Sequence, residues 1–178
     1  MHPLHGACFH GSVNTARLLI QQGADVLALD DSESIPFAHA CRNSHSKILE
    51  MFFTEFETHA RIQEIITAVD VGRNTLLHLA VSSANVQIVE LLLEKKADPT
   101  AKREDEQNPV HLCAKNDSVE ILKKLLVAGG NINDLDGENE TILHKAAAHN
   151  REHILEFVLH KKVEEPLKYS HFSLRKSL

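Results

Sequence analysis

Apolar residues along the chain recur in pairs of short helical stripes that polar turns separate. The clearest stripe joins Val86, Val89, Leu92 and Leu93, whose spacing places them on one face of a helix. Small polar residues near Ser83 separate this stripe from a shorter apolar stretch before it. The pattern predicts two short helices joined by a tight turn. Because a single pair cannot bury both of its sides, we expect several pairs to stack.

A four-residue phrase repeats in register with these stripes. It begins at positions 2, 35, 75, 108 and 141, so three of the four intervals are 33 residues and the second is 40. The copies are His2-Pro3-Leu4-His5, Ile35-Pro36-Phe37-Ala38, Thr75-Leu76-Leu77-His78, Asn108-Pro109-Val110-His111 and Thr141-Ile142-Leu143-His144. The repeat predicts an all-α solenoid of five helix-turn-helix units.

Local signals mark both ends of the predicted helices. Thr75, Asn108 and Thr141 stand where an N-cap oxygen can accept a hydrogen bond from a first-turn amide. Three phrases carry proline at the next position, where a missing N–H costs nothing: Pro3, Pro36 and Pro109. Gly23 and Gly129 follow second helices as C′ glycines. The polar segments after them are predicted to project as β-turns, called fingers below.

The phrase and its 33-residue period resemble the ankyrin repeat, whose signature is Thr-Pro-Leu-His-x-Ala. The resemblance spans roughly residues 2 to 163. It implies that the threonine and histidine of the signature hydrogen-bond to each other and to neighbouring loops. That assigns a structural role to His5, Thr75, His78, His111, Thr141 and His144. Ile35 and Ala38 replace both groups in the second unit, which we therefore expect to be the least rigidly tied.

The phrases divide residues 1–163 into units at about 2–34, 35–74, 75–107, 108–140 and 141–163, followed by an irregular tail at 164–178. The surplus residues of the second unit fall between Thr54 and Asp70, where Ile62, Ile65, Ile66 and Val69 keep roughly helical spacing. An elongated second helix or a small extra helix explains them better than a dedicated binding insert. The irregular ends, with Pro166 blocking a helical continuation, suggest an excerpt of a longer array or a truncated product.

Two longer stretches resemble a narrower family. Residues 72–78 and 136–146, together with the long second unit, look like the N-terminal arrays of ankyrin-type transient receptor potential (TRPA) cation channels. The resemblance implies an alternative function, that of a cytosolic array segment acting in channel assembly or gating. No pore, membrane helix or ligand pocket can be carried over, because no residues of this sequence match those parts.

Composition and charge narrow the classes of function. With 43% apolar and 25% charged residues, the 178-residue chain has the balance of a globular protein. The net charge of −6 argues against a nucleic-acid or anionic-membrane partner. No apolar run approaches ~18 residues, so we expect no direct membrane insertion. Three cysteines, an odd number, favour a reducing compartment, and the predicted localisation is cytoplasmic.

The sequence offers little catalytic chemistry. His149 and His153 frame the H-x-x-E-H motif of some zinc peptidases, but we expect a turn at Asn150 to place them on different helices. The cysteines are interpreted as small buried side chains rather than redox sensors: Cys8, Cys41 and Cys113. We therefore predict no enzyme activity, no cofactor and no metal site.

Acidic residues concentrate in the predicted fingers, whereas lysines gather near the ends of second helices. Finger tips and first helices line the concave side on which such solenoids bind, and acidic tips favour a basic partner through association rate and selectivity. A solvated edge without a partner is the alternative. The residues predicted to contact a protein partner are Asp30, Asp31, Arg103, Glu104, Asp105, Asp136 and Glu138. The sequence thus predicts a protein–protein interaction module.

Overall fold

The computed structural model describes residues 2–56 and 61–164, with side chains up to Lys161. These residues form eleven helices: α1 Pro3–Phe9, α2 Val13–Gln21, α3 Pro36–Arg42, α4 Ser46–Glu55, α5 Ile62–Thr67, α6 Leu76–Ser82, α7 Val86–Glu94, α8 Pro109–Asn116, α9 Val119–Val127, α10 Ile142–Ala148 and α11 Glu152–Glu164. Within the described ranges the β-structure is limited to one bridge, between Val69 and Thr75. The all-α prediction is confirmed.

The helices form two layers. The first helices α1, α3, α6, α8 and α10 pack side by side in that order, and the second helices α2, α4, α7, α9 and α11 do the same. The core lies between the layers and between successive pairs, where Leu77, Ile88 and Leu122 are fully buried. Each such side chain contributes roughly 1.5–3 kcal/mol. The predicted stacking of helix pairs is confirmed, whereas the unit boundaries stay a prediction.

The first helices begin where the phrase predicts. Thr75, Asn108 and Thr141 are the N-caps of α6, α8 and α10. In α6, the Thr75 N–H donates to His78 Nδ1 over 3.2 Å while Thr75 Oγ1 lies 2.8 Å from the same nitrogen. In α3 the N-cap is Ile35, which makes no side-chain cap bond, as its apolar side chain requires.

Units one, three and four each adopt positive φ at three positions, which turns the chain sharply at the end of an element, and the other two units share some of these positions. The turn between paired helices uses Gly11, Ser44, Ala84, Asp117 and Asn150. The end of the second helix uses Gly23, Lys96 and Gly129, which confirms the two predicted C′ glycines. The finger uses Glu33, Arg73, Glu106 and Asn139. Most of these residues are not glycine, so the tertiary fold imposes the conformation at a local cost.

The surplus residues of the second unit form a separate small helix. Helix α4 ends at Glu55 and α5 begins at Ile62, so the extra-helix prediction holds and the elongated-helix alternative does not. Ile65 and Ile66 are buried, and α5 packs against α6. Val69 lies beyond the helix and is 46% exposed, so the helical spacing read from the sequence runs too far.

Other contacts replace the missing threonine–histidine pair of the second unit. His39 Nε2 lies 2.6 Å from Asp30 Oδ2, and Arg42 donates to Asp70 Oδ2 over 2.6 Å. The Phe37 and Phe52 rings pack with centroids 4.5 Å apart beneath them. The unit is therefore tied by charge and by aromatic packing, and its expected looseness stays a prediction.

Candidate partner-binding surface

The four fingers share one backbone design. In each, the amide of the first residue donates to the carbonyl of the fifth, over 3.0 to 3.1 Å, and the fourth residue is the left-handed one. We number them as finger one (30–34), finger two (70–74), finger three (103–107) and finger four (136–140). Because the backbone geometry repeats, differences between fingers come from their side chains alone.

Aspartate at the first position builds the turn from within. Asp30 Oδ1 accepts hydrogen bonds from the amides of Ser32 and Ser34, two and four residues ahead. Asp70 in finger two and Asp136 in finger four accept the equivalent pairs of amides at 2.9 to 3.0 Å. These carboxylates satisfy backbone donors and are committed to the fold.

Each of these aspartates also pairs with a basic side chain on a first helix. Asp136 has a side chain only 1% exposed and lies 2.9 Å from Lys145 Nζ, on α10. Burial favours the neutral form, but hydrogen bonds from Lys145 and from the finger amides outweigh it, so the pKa of Asp136 is lowered. At Asp30, burial likewise opposes ionisation, yet His39 and the Ser34 and Ser32 amides lower the pKa to about 2.

Finger three departs from this design. Arg103 stands at the first position, and its guanidinium binds Asp105 through two hydrogen bonds of 2.9 and 2.6 Å. Asp105 Oδ1 also accepts from the Gln107 amide, so the carboxylate that braces this turn is two residues further along. Arg103 is thus engaged within its own finger and neutralises part of its charge.

Main-chain hydrogen bonds join neighbouring fingers. The Glu104 amide donates to the Gly72 carbonyl, and the Gly137 amide donates to the Asp105 carbonyl, each over 3.1 Å. Gly137 suits this close approach, because a Cβ there would lie 3.0 Å from the Asp105 carbonyl oxygen. Fingers two to four therefore form one connected edge rather than three independent loops.

The predicted contact residues divide into two groups. Asp30 and Asp136 are largely buried and serve the turn, so little of either carboxylate faces solvent. Asp31 and Glu104 are exposed at the tips, and the Asp105 side chain is 48% exposed. The Glu138 side chain is 75% exposed, although it contacts Lys145. The acidic character available to a partner rests on Asp31, Glu104, Asp105 and Glu138.

The finger row also carries apolar side chains that the sequence reasoning missed. Leu29, Val69 and Leu135 directly precede fingers one, two and four and are 54%, 46% and 47% exposed, and Val71 in finger two is 68% exposed. Leu29, Val69 and Leu135 each lie six residues before the next phrase, and this shared position could have revealed them in the sequence; Val71 does not share it. Exposed apolar groups at one edge indicate a contact surface of mixed character.

The signature histidines tie the start of a first helix to the polar segment at the end of the same unit. His5 Nε2 donates to the Ser34 carbonyl over 3.0 Å, and His111 Nε2 donates to the Asp134 carbonyl over 2.9 Å. His78 makes the equivalent bond to Gln107. Burial lowers the pKa of His78 to about 4 and lowers the pKa of His111, so both rings are neutral at pH 7. His144 keeps its contact with Thr141 but is exposed.

The cysteines lie in the core. Cys8, Cys41 and Cys113 are fully buried free thiols. Burial raises the pKa of Cys8 to about 12 and raises that of the other two, which suppresses the reactive thiolate. This environment is that of small packing side chains.

The side chains of both candidate metal arrangements make other contacts in the structure. Helix α10 ends at Ala148 and α11 begins at Glu152, so the two histidines of the H-x-x-E-H motif flank a turn. His149 Nδ1 donates to the Lys145 carbonyl, whereas His153 Nδ1 pairs with Asp117. Among the described residues, one carboxylate group has spacing compatible with a cation: Asp136, Glu138 and Glu140. Lys145 Nζ lies 2.7 to 2.9 Å from all three, so an ammonium already lies among them.

The described helices include none long and apolar enough to cross a membrane.

Comparison with known proteins identifies the repeated unit. A family model described as "Ankyrin repeats (3 copies)" matches residues 4–103 and 77–168. The TRPA member 1 homologue of Caenorhabditis elegans is 27% identical over 88% of this chain, and that of Drosophila melanogaster is 30% identical over 67%. The NAD-dependent deacetylase sir2B of Dictyostelium discoideum is 32% identical over 69%. The chain spans only 12%, 10% and 15% of these relatives' lengths.

Proposed function

Because the chain belongs to the ankyrin-repeat family, we propose that it is a non-enzymatic protein-interaction module that holds a partner with a basic surface against its finger row. The observation that carries the proposal is the exposed acidic set on the fingers, of which the second to the fourth are joined into one edge by main-chain hydrogen bonds. A rigid, pre-formed edge loses little conformational entropy on binding. We place the module in the cytoplasm, in keeping with its three buried free thiols.

The partner's expected chemistry follows from the exposed groups. Asp31, Glu104 and Glu138 attract lysine and arginine side chains, mainly by accelerating encounter. Leu29, Val71 and Leu135 offer apolar contacts between them, which supply affinity that salt does not screen. The partner surface should therefore alternate basic and apolar groups.

Charge reversal at the finger tips tests the proposal. Asp31→Lys with Glu104→Lys should weaken the main partner captured from cytosolic and membrane fractions several-fold at fixed ionic strength. The matched control is Glu50→Lys with Glu94→Lys, an equal charge change at exposed positions of α4 and α7. Both exchanges avoid the turn-forming aspartates, so the fold stays intact. Equal affinity of the wild type and the finger variant contradicts the proposal, as does equal weakening by both variants.

A second candidate function is a segment of the N-terminal array of a TRPA-type cation channel. It is favoured by the two channel homologues, one of which matches over 157 residues. In that setting the finger row contacts neighbouring repeats or subunits of the channel. The test is the full open reading frame, which should continue into apolar segments of about 20 residues, each long enough to span a bilayer. A reading frame without them excludes this candidate.

A further inference from the structure

The last helix pair presents an open apolar face. In α10 and α11 the residues that point away from α8 and α9 are exposed or only partly buried, and we call them the end face: Leu143, His144, Ala147, Leu155 and Leu159. The Leu159 residue is 51% exposed. Within the described residues no further helix pair packs on this side.

The same positions are covered in the earlier units. The equivalents of Leu143 are at most 2% exposed: Leu4, Phe37, Leu77 and Val110. The equivalents of Ala147 and Leu155 are at most 1% exposed: Cys8, Cys41, Val81, Ala114, Ala16, Leu49, Val89 and Leu122. In each case the following unit provides the cover. At Leu143, Ala147 and Leu155, the end face therefore presents positions that are buried in the four earlier units.

The sequence that follows α11 matches this face. We propose that residues 165–178 dock across the end face and cap the array. This segment directly follows α11 and lies outside the described residues. It does not repeat the phrase of the units, and it carries apolar residues at short intervals: Leu167, Tyr169, Phe172, Leu174 and Leu178. Fourteen residues can reach about 46 Å when extended, several times the ~10 Å width of a helix.

Charge also favours this occupant. The segment contains Lys168, Arg175 and Lys176 against a single acid, Glu165. Finger four, beside α10, holds three carboxylates around one ammonium, which leaves a negative excess next to the end face. A basic, apolar segment complements that edge. Covalent attachment raises its effective concentration to the millimolar range, so weak contacts suffice for docking.

The docked segment differs in kind from a partner on the fingers. It covers the end of the stack, whereas the proposed partner lies along its edge. Solenoid ends need a cover because an exposed repeat interface is apolar. The inference therefore stands whether or not the finger row binds a basic protein.

The chain carries its own probe for this docking. Tyr169 is the single tyrosine and the sequence has no tryptophan, so intrinsic fluorescence reports on the segment alone. Acrylamide quenching of the full chain should be about two-fold weaker than that of a synthetic peptide of residues 165–178, because a docked ring is partly buried. Leu159→Lys with Ala147→Lys should restore quenching to the value of the peptide.

The control substitution is Leu18→Lys, on an α2 residue 57% exposed and far along the array from the end face. It should leave the quenching unchanged. Circular dichroism of both variants verifies that the helices persist. Quenching in the wild type equal to that of the peptide overturns the proposal. Shielding that disappears on dilution also overturns it, because the cover is then a second copy of the chain.

Discussion

At the scale of single residues, an acidic side chain in a finger has one of two roles, and its position in the turn decides which. Asp30, Asp70 and Asp136 stand first and point inward to the turn amides, whereas Asp31 and Glu104 point to solvent. Composition alone treats these carboxylates as equal, which is why the sequence predicted Asp30 and Asp136 as contact residues and overlooked Asp70. Only the hydrogen-bond pattern separates the two roles.

The buried signature histidines make stability depend on pH. His78 has a pKa of about 4 in the folded chain because burial disfavours its charged form, against an ordinary value of 6.5. Between these values the unfolded chain binds a proton that the folded chain does not, so the free energy of unfolding falls as pH drops from about 6.5 to 4. His78→Gln, which can still form a capping box, should flatten this dependence.

Urea unfolding at pH 7.5 and pH 5 measures the effect. The variant starts from a lower stability at pH 7.5, because it loses the bond to Gln107, but it should lose less on acidification. His149→Gln, at an exposed position, is the matched control and should keep the wild-type pH dependence. If wild type and His78→Gln lose the same free energy of unfolding between pH 7.5 and pH 5, another group causes the loss of stability at low pH.

At the scale of elements, the helices differ in how far along the sequence the residue that caps their N-terminus lies. The caps of α6, α8 and α10 are local in sequence and were predictable from the phrase. Helix α11 follows Arg151, and Asp117 of the preceding unit supplies its cap instead: Asp117 Oδ1 accepts from the Ile154 amide over 3.0 Å. That contact spans 37 residues, so no local pattern could reveal it.

Removing this distant cap should loosen one helix. Asp117→Ala leaves first-turn amides of α11 without an acceptor and removes the partner that raises the pKa of His153. We expect a loss of about 1 kcal/mol, typical of a lost N-cap. Hydrogen exchange should accelerate in the first turn of α11 with little change in α6 and α7. Asp98→Ala, which removes a comparable turn bond to Thr100, is the control and should leave α11 protected.

At the scale of the whole molecule, the stack is quasi-one-dimensional, and the main packing contacts among the described helices join each unit to its neighbours. The array was predictable because the same phrase and apolar stripe recur, so periodic burial leaves a strong signal in the sequence. The side-chain contacts between units, such as that of Arg17 with Glu55, were not predictable, because they involve residues without repeated identity. Likewise, the sequence located the extra residues of the second unit but did not decide between an elongated helix and a separate small helix.

Damage to one unit should spread only to its neighbours. Phe52 is fully buried at the centre of an aromatic cluster with Phe37, Phe53 and Phe56. Phe52→Ala should cost roughly 3–5 kcal/mol. Hydrogen exchange should accelerate in α1 to α4 and in α6 and α7 while α10 and α11 keep their protection. Phe9→Ala, at a residue 43% exposed, is the control. Uniform loss of protection along the chain would instead indicate a fully cooperative fold.

The small helix α5 shows how the stack accommodates a change in repeat length. The phrases on either side of it are 40 residues apart instead of 33, yet α3 and α6 pack as neighbours, as the other first helices do. The insertion changes the repeat interval in the sequence without interrupting the stacking of the first helices. Packing between helices, rather than a constant repeat length, aligns successive units in this stack. The corner between a second helix and its finger is therefore where the chain can accommodate insertions or deletions.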